Sequence, residues 1–151
     1  MKDMANGSDS TQNSKLKTQN LVEVSAGLVF RGGKLLITQR RSEDHLGGLW
    51  EFPGGKRECD ESDEDCLCRE LQEELGIEVR VRDLIETIDH TYPEKTVRLK
   101  FFLCALLKNE PQPIGCTAFA WVIAGELENY AFPEADVQLL EKLRTTPELW
   151  A

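Results

Sequence analysis

The sequence predicts a layered α/β or α+β domain with a mixed sheet, on three observations. Apolar, β-branched runs at 21–31, 34–40, 77–92, 96–107 and 117–124 have the length and alternation of strands. Two stretches, one starting near Ser62 and one at Phe132 and Pro133, carry helical spacing instead. A length of 151 residues suits one core, burying about two-thirds of the unfolded chain's surface. Strands interleaved with two helices are expected to stack in layers.

Residues 1–20 are rich in Ser, Asn, Gln, Thr and Lys and carry neither an apolar leader nor an amphipathic period, so a disordered tail is expected there and a folded domain over 21–151. Gly32 and Gly33 between two apolar runs signal a hairpin. In RSEDHLGGLWEFPGGK, residues 41–56, paired glycines and Pro53 interrupt any regular pattern, which predicts a loop feeding a helix. That helix runs toward Gly76, a suitable C′ residue, with Ser62 or an acid near it as N-cap. Its first-turn acids, Asp63, Glu64 and Asp65, complement the helix dipole, and Leu67, Leu71 and Leu75 form its buried stripe. After the helix come two strands turning at Pro93, with Val97, Leu99, Phe101 and Leu103 inward on the second. A loop at 108–116 and a short strand follow. In the last helix Pro133 takes the first position and Val137, Leu140 and Leu143 supply the packing stripe.

A net charge of −9, from 27 acidic against 18 basic residues, argues against binding duplex nucleic acid. It leaves nucleotides open, because divalent cations neutralise both partners. Five cysteines, an odd number with no zinc-ligand spacing, read as reduced, mostly buried thiols in a cytoplasmic setting. No apolar run approaches the roughly 20 residues needed to span a bilayer, so no membrane partner is expected.

The chemistry concentrates in GKRECDESDEDCLCRELQEELGI, residues 55–77. On a helix Glu70, Glu73 and Glu74 lie at i, i+3 and i+4, so three carboxylates share a face where like charges repel by a few tenths of a kcal/mol per pair. Such crowding suits a bound cation. Reduced to its fixed positions, the stretch reads Gly55, five residues, Glu61, seven residues, then Arg69-Glu70-Leu71-x-Glu73-Glu74-x-Gly76-Ile77. This resembles the Nudix signature at every fixed position, a coincidence on the order of 10⁻⁸ per starting position at ordinary residue frequencies.

The resemblance covers most of residues 21–145 and is nearest the MutT-like branch, through ITQRR, LWEFPGGK, TYPEKTVRLKFF, AW and AFPEAD. It implies a Nudix α/β/α sandwich that hydrolyses a nucleoside triphosphate to a monophosphate and pyrophosphate with Mg²⁺, or Mn²⁺. It also implies metal binding by Glu70, Glu73, Glu74 and the Gly54 carbonyl, and an Arg69 that orients a box carboxylate. Glu61 is either a peripheral ligand or N-terminal charge compensation. Relatives often carry an acid near the late-strand Trp121; Ala120 stands there here. The general base is therefore expected within the helix, at Glu73 or Glu70, or on Glu94 or Glu110 if a loop folds over.

Arg40 and Phe52 fall where MutT-like enzymes contact substrate; the alternatives are a solvated strand-end residue for Arg40 and core packing for Phe52. Asp136 replaces an Asn that reads the base edge in oxidised-purine enzymes; the alternative is an acid that complements the N-terminus of the last helix. An ionised Asp only accepts hydrogen bonds, which favours guanine N1–H and N2–H₂ or the cytosine amine. His45 is either loop structure or a phosphate or base contact. The leading expectation is an oxidised-guanine nucleotide such as 8-oxo-dGTP, with CTP or methylated dCTP second. Another nucleoside diphosphate derivative, or a non-catalytic nucleotide-binding domain, completes the alternatives. The protein is expected to act as a monomer or weak homodimer.

Overall fold

The computed structural model describes residues 20–151, so the expected tail lies almost wholly outside the described residues. Seven strands form one sheet: β1 (Leu21–Arg31), β2 (Lys34–Gln39), β3 (Trp50–Glu51), β4 (Gly54–Lys56), β5 (Glu78–Tyr92), β6 (Lys95–Lys108) and β7 (Ala118–Val122). The order β3-β2-β1-β6-β5 is mixed, with β1 parallel to β6 and the other pairings antiparallel; β4 adds to β1 and β7 to β2. Helix α1 (Asp63–Leu75) covers one face and α2 (Val137–Thr145) the other. The mixed strands and two helices expected from the sequence thus form an α/β/α sandwich.

Strand alternation divides the core. Leu28, Leu35, Ile37, Phe52 and Phe101 turn toward α2, with Leu139 and Leu143. Val29, Leu36, Phe102 and Cys104 turn toward α1, meeting Leu67, Leu71 and Leu75. Because β6 is covered on both sides, Phe102 and Cys104 are as buried as Phe101, whereas Leu103, expected inward, is only half-buried.

Both ends of α1 are built as expected. The Ser62 side chain accepts from the Asp65 N–H at 3.0 Å, and Gly76 closes the helix at φ 69°, a left-handed conformation that costs glycine little. Beyond it, a loop at 109–117 docks on the helix terminus. The N–H groups of Ile114 and Gly115 donate to Glu74 O, and that of Gln112 to Leu75 O, so the last carbonyls are satisfied by backbone.

Three expectations need correction. Residues 50–56 are not all loop: Trp50–Glu51 and Gly54–Lys56 pair with β2 and β1, despite their glycines and proline, because edge pairing rewards extended backbone there. Pro133 does not open α2 directly. It caps a 3-10 turn, Glu134–Asp136, and α2 starts at Val137. That offset rotates the stripe, so Val137 is 58% exposed while Leu139 is buried with Leu143.

The two leucine sets should differ sharply in denaturant titrations. Leu71→Ala is expected to cost about 2–5 kcal/mol by leaving a cavity under α1, whereas Val137→Ala should cost less than about 0.5 kcal/mol.

Candidate active site

Where β4 runs beside β1, two glycines remove side chains that the geometry cannot hold. A Cβ on Gly54 would lie 2.0 Å from Ser25 O, and one on Gly55 would lie 2.2 Å from Glu70 Cδ. The second contact is the instructive one, because it lets the Glu70 carboxylate lie against strand backbone. Beside it opens a cavity of about 390 Å³. Gly54, Gly55, Glu70 and Glu74 line one end of it, Val97, Leu99 and Phe101 its apolar wall, and Asp136 a further side.

Arg69 stands behind this end and organises it. Its Nε and Nη2 donate to Glu61 at 2.6 and 3.0 Å, and Nη1 donates to Glu70 at 3.0 Å and Glu73 at 3.3 Å. Glu61 also accepts from the Glu58 N–H, and these bonds hold its carboxyl down to about 2. Of the two readings open for Glu61, the geometry adds a third: it is the anchor that fixes Arg69.

The box carboxylates sit in different surroundings. Burial raises the Glu70 carboxyl while Arg69 opposes the rise. Glu74 is pushed up to about 8, first by burial and then by the charges of Glu51 and Glu70, and its Oε1 is buried with no hydrogen-bond partner. Glu73 is 60% exposed at its side chain and lies outside the cavity lining. Among the described residues no three acidic, histidine or cysteine side chains gather closely enough to enclose an ion, since Arg69 draws Glu70 and Glu73 to itself.

The substrate-side expectations divide. Arg40, Phe52 and Asp136 all line the same cavity as Glu70 and Glu74. Arg40, however, is already engaged: Nη1 donates to Glu51 at 2.8 Å and Nε to the His45 carbonyl at 2.6 Å. Phe52 is 3% exposed and stacks on Phe132 at 5.2 Å with Phe101 edge-on, which makes it chiefly a wall of the core. Asp136 is 6% exposed, makes no side-chain capping bond to α2, and is pushed up to about 7 by burial and the charge of Glu51. It nevertheless stands at the N-cap position of α2, so helix-terminus complementation and base reading both stay open for it. Glu110 pairs with exposed Arg31, and neither it nor Glu94 lines the cavity.

Sequence reasoning missed Glu51, whose carboxyl burial raises, and which lies in this cavity bonded to Arg40. The signal was the acid set between two aromatics in Trp50-Glu51-Phe52, legible once Trp50–Glu51 is read as strand.

These features coincide with what comparison with known proteins finds. Residues 25–142 match the NUDIX domain family. An 8-oxo-dGTP diphosphatase of Proteus vulgaris is 43% identical over 90 residues, 59% of this chain and 80% of the relative. A CTP pyrophosphohydrolase of Escherichia coli K12 is 36% identical over 121 residues, 80% of this chain and 90% of the relative. The solution structure of MutT from methicillin-resistant Staphylococcus aureus 252 superposes with a TM-score of 0.66 at 34% identity, covering 83% of this chain and 96% of that one. The chain belongs to the Nudix family, in its MutT-like branch, and is a hydrolase of phosphoanhydride bonds.

Nudix hydrolases use a divalent cation, and the residues here fit one. The donors are hard carboxylate oxygens, two of the carboxyl groups are desolvated, and Glu74 Oε1 is buried without a partner.

In the absence of a cation, the sign of the pH effect follows from Glu74. Its folded value of about 8 lies above its ordinary 4.5, so the native state keeps a proton that the unfolded chain has lost. Stability should therefore fall as pH rises from about 4.5 toward 8. Differential scanning fluorimetry with EDTA should show that fall, and Glu74→Gln should make it shallower, the raised carboxyls of Asp136, Glu51 and Glu70 supplying the remainder. Adding a divalent cation should raise Tm of the parent protein at pH 8 and raise that of Glu74→Gln much less.

Proposed function

We propose that the chain is a Mg²⁺-dependent nucleoside triphosphate pyrophosphohydrolase over residues 21–151, releasing pyrophosphate and a nucleoside monophosphate, with Mn²⁺ able to substitute. The observation that carries this reading is the cavity itself. One end gathers Glu70 and Glu74 beside Gly54, and the same space reaches Asp136 along an apolar wall. A triphosphate and a base each have a suitable partner within it.

Glu70, Glu73, Glu74 and the Gly54 carbonyl are the groups that would hold metal. When bound, the cation screens the phosphate charge and activates the attacking water. Arg69, fixed by Glu61, holds Glu70 and Glu73 on its own side, and binding a cation would turn them from the guanidinium toward the metal. The general base is Glu73 or Glu70; of the two, Glu73 keeps the more exposed carboxylate. Arg40 holds Glu51 and the 41–48 loop in place and leaves one guanidinium nitrogen for substrate.

For the base, the leading substrate is an oxidised guanine nucleotide such as 8-oxo-dGTP. Glu51 and Asp136 place two acids on the cavity, and guanine presents adjacent N1–H and N2–H₂ donors. A second reading, CTP or methylated dCTP, is favoured by the Asp in FPEAD and by the E. coli relative named for CTP. The assembly is read as a monomer or weak homodimer. Five free cysteines support a reducing, cytoplasmic setting, and the charge of −9 argues against a duplex nucleic-acid partner. Among the described residues no helix is long and apolar enough to cross a membrane.

A panel of nucleoside triphosphates and diphosphates, with oxidised guanine and methylated cytosine forms, ranked by kcat/KM with Mg²⁺, tests both readings. An oxidised purine above its normal parent is expected; equal values would overturn the leading substrate, and no pyrophosphate from any triphosphate would overturn the reaction. Glu70→Gln and Glu73→Gln should each lower kcat by about 10²–10⁴. Asp136→Asn should shift the base ranking while changing kcat on the best triphosphate by less than about 3-fold, since a group reading the base acts mainly through binding.

A further inference from the structure

Between β4 and α1 the chain crosses residues 57–62, none of which lines the cavity. The crossing is tight. The Glu61 N–H donates to Glu58 O at 3.2 Å and the Glu61 carboxylate accepts from the Glu58 N–H at 2.9 Å. Asp60 between them takes a left-handed φ of 67°, which Asp tolerates better than most residues. One side chain ties this turn to the sheet. Arg57 Nη1 donates to Glu61 O at 2.9 Å and Nη2 to Glu23 of β1 at 2.6 Å, while Nε stands 3.6 Å from Asp63 in the first turn of α1. Lys100 of β6 donates to the same Asp63 at 2.9 Å and lies 3.9 Å from Glu23. Asp63 therefore does more than complement the helix dipole. Four partly buried charges, Glu23, Arg57, Asp63 and Lys100, join β1, β6, the 57–62 turn and α1.

The turn so held carries Glu61, whose carboxylate takes Nε and Nη2 of Arg69 and leaves Nη1 to Glu70 and Glu73. Two guanidinium groups thus stand in series: Arg57 holds the Glu61 backbone, and the Glu61 side chain holds Arg69. When a cation draws Glu70 and Glu73 from Nη1, Arg69 keeps its place through Glu61 and the Lys56 carbonyl at 3.2 Å. Both anchors belong to the segment that Arg57 fixes against β1, where its own N–H donates to Glu23 O at 2.9 Å. A guanidinium without those anchors would follow the carboxylates and compete with the cation for them.

We propose that Arg57 is a positioning residue for hydrolysis: through Glu61 it fixes Arg69, so that Glu70 and Glu73 pass from the guanidinium to a divalent cation without Arg69 following them. This rests on the metal-dependent reaction proposed above. Removing a group that orients a metal's ligands from behind typically lowers metal affinity or activity by about 10- to 100-fold, and a loss of that size is expected here.

Arg57→Met and Glu23→Gln test this, with Arg98→Met as the control, since Arg98 bonds to Asp89 within the β5–β6 pair. All are measured well below their own Tm. In EDTA, the Arg69 Nε–H resonance should exchange with solvent faster in Arg57→Met than in the parent. Calorimetry without nucleotide should show Mn²⁺ affinity lowered about 10-fold, and kcat for pyrophosphate release at saturating Mg²⁺ should fall by about 10- to 100-fold. KM at saturating Mg²⁺ should stay within about 3-fold, since no substrate contact is removed. Glu23→Gln should shift each readout the same way by less, and Arg98→Met should match the parent. Adding Arg57→Met to Glu61→Gln should lower kcat by less than about 2-fold further, because the effect runs through Glu61. Mn²⁺ affinity and kcat in Arg57→Met within about 2-fold of the parent would overturn the proposal, as would its full loss on top of Glu61→Gln, which would mark a contribution to folding alone. If Arg57→Met does not fold, Glu23→Gln decides by the same criteria. Failure of the parent to release pyrophosphate from any triphosphate would instead remove the reaction reading, leaving Mn²⁺ affinity and the Arg69 resonance to decide Arg57.

Discussion

Desolvated negative charge is the constraint on which the rest of the molecule depends. Glu51, Glu70, Glu74 and Asp136 line one cavity, and burial raises the carboxyl of every one of them. Burying a carboxylate without a partner costs several kcal/mol, so such a set persists only where the surrounding fold over-determines it. The fold does so with few free variables. Leu67, Leu71 and Leu75 seat α1 on the sheet, Ser62 and Gly76 set its two ends, and the Gly55 backbone leaves room for one carboxylate. Among the described residues two basic groups bond directly to this set: Arg69 from behind the helix, and Arg40 at Glu51. The remaining imbalance is what a divalent cation is suited to relieve.

The 109–117 loop shows how the scaffold and the site share parts. Its backbone N–H groups take up the last carbonyls of α1, and a Cβ on Gly115 would lie 3.2 Å from Glu74 Cα. The loop thereby holds the end of the helix that bears Glu74.

Much of this was legible in the sequence, and the reason is local. The caps of α1, its leucine stripe, the Gly32–Gly33 hairpin and the carboxylate face all depend on spacing within one or two turns, where side-chain chemistry and backbone preference act together. Arg69 was legible for the same reason. Legibility failed where a residue's surroundings come from distant segments. Glu51 looked like part of a loop because glycines flank it, and its strand exists only through pairing with β2. Position alone placed Arg40 and Phe52 at the cavity, but it did not show that Arg40 also holds Glu51 and the His45 carbonyl, or that Phe52 packs on Phe132 and Phe101. Val137 exchanged places with Leu139 because a 3-10 turn after Pro133 changed the phase of α2.

The parallel pairing of β1 with β6 also bears on how the chain reaches this state. Leu21–Arg31 leaves the ribosome before the other described strands, yet its long partner, Lys95–Lys108, emerges only after α1 and β5 have been made. Until then β1 can pair only with β2 and β4, leaving a β-branched edge open on one side. Pairings of such large sequence separation form slowly, because loop closure must be met before contacts reward it. The nascent chain therefore carries an unsatisfied strand through much of its synthesis, and the carboxylate cavity, which needs β1, β4 and α1 together with β6, is among the last features to be assembled.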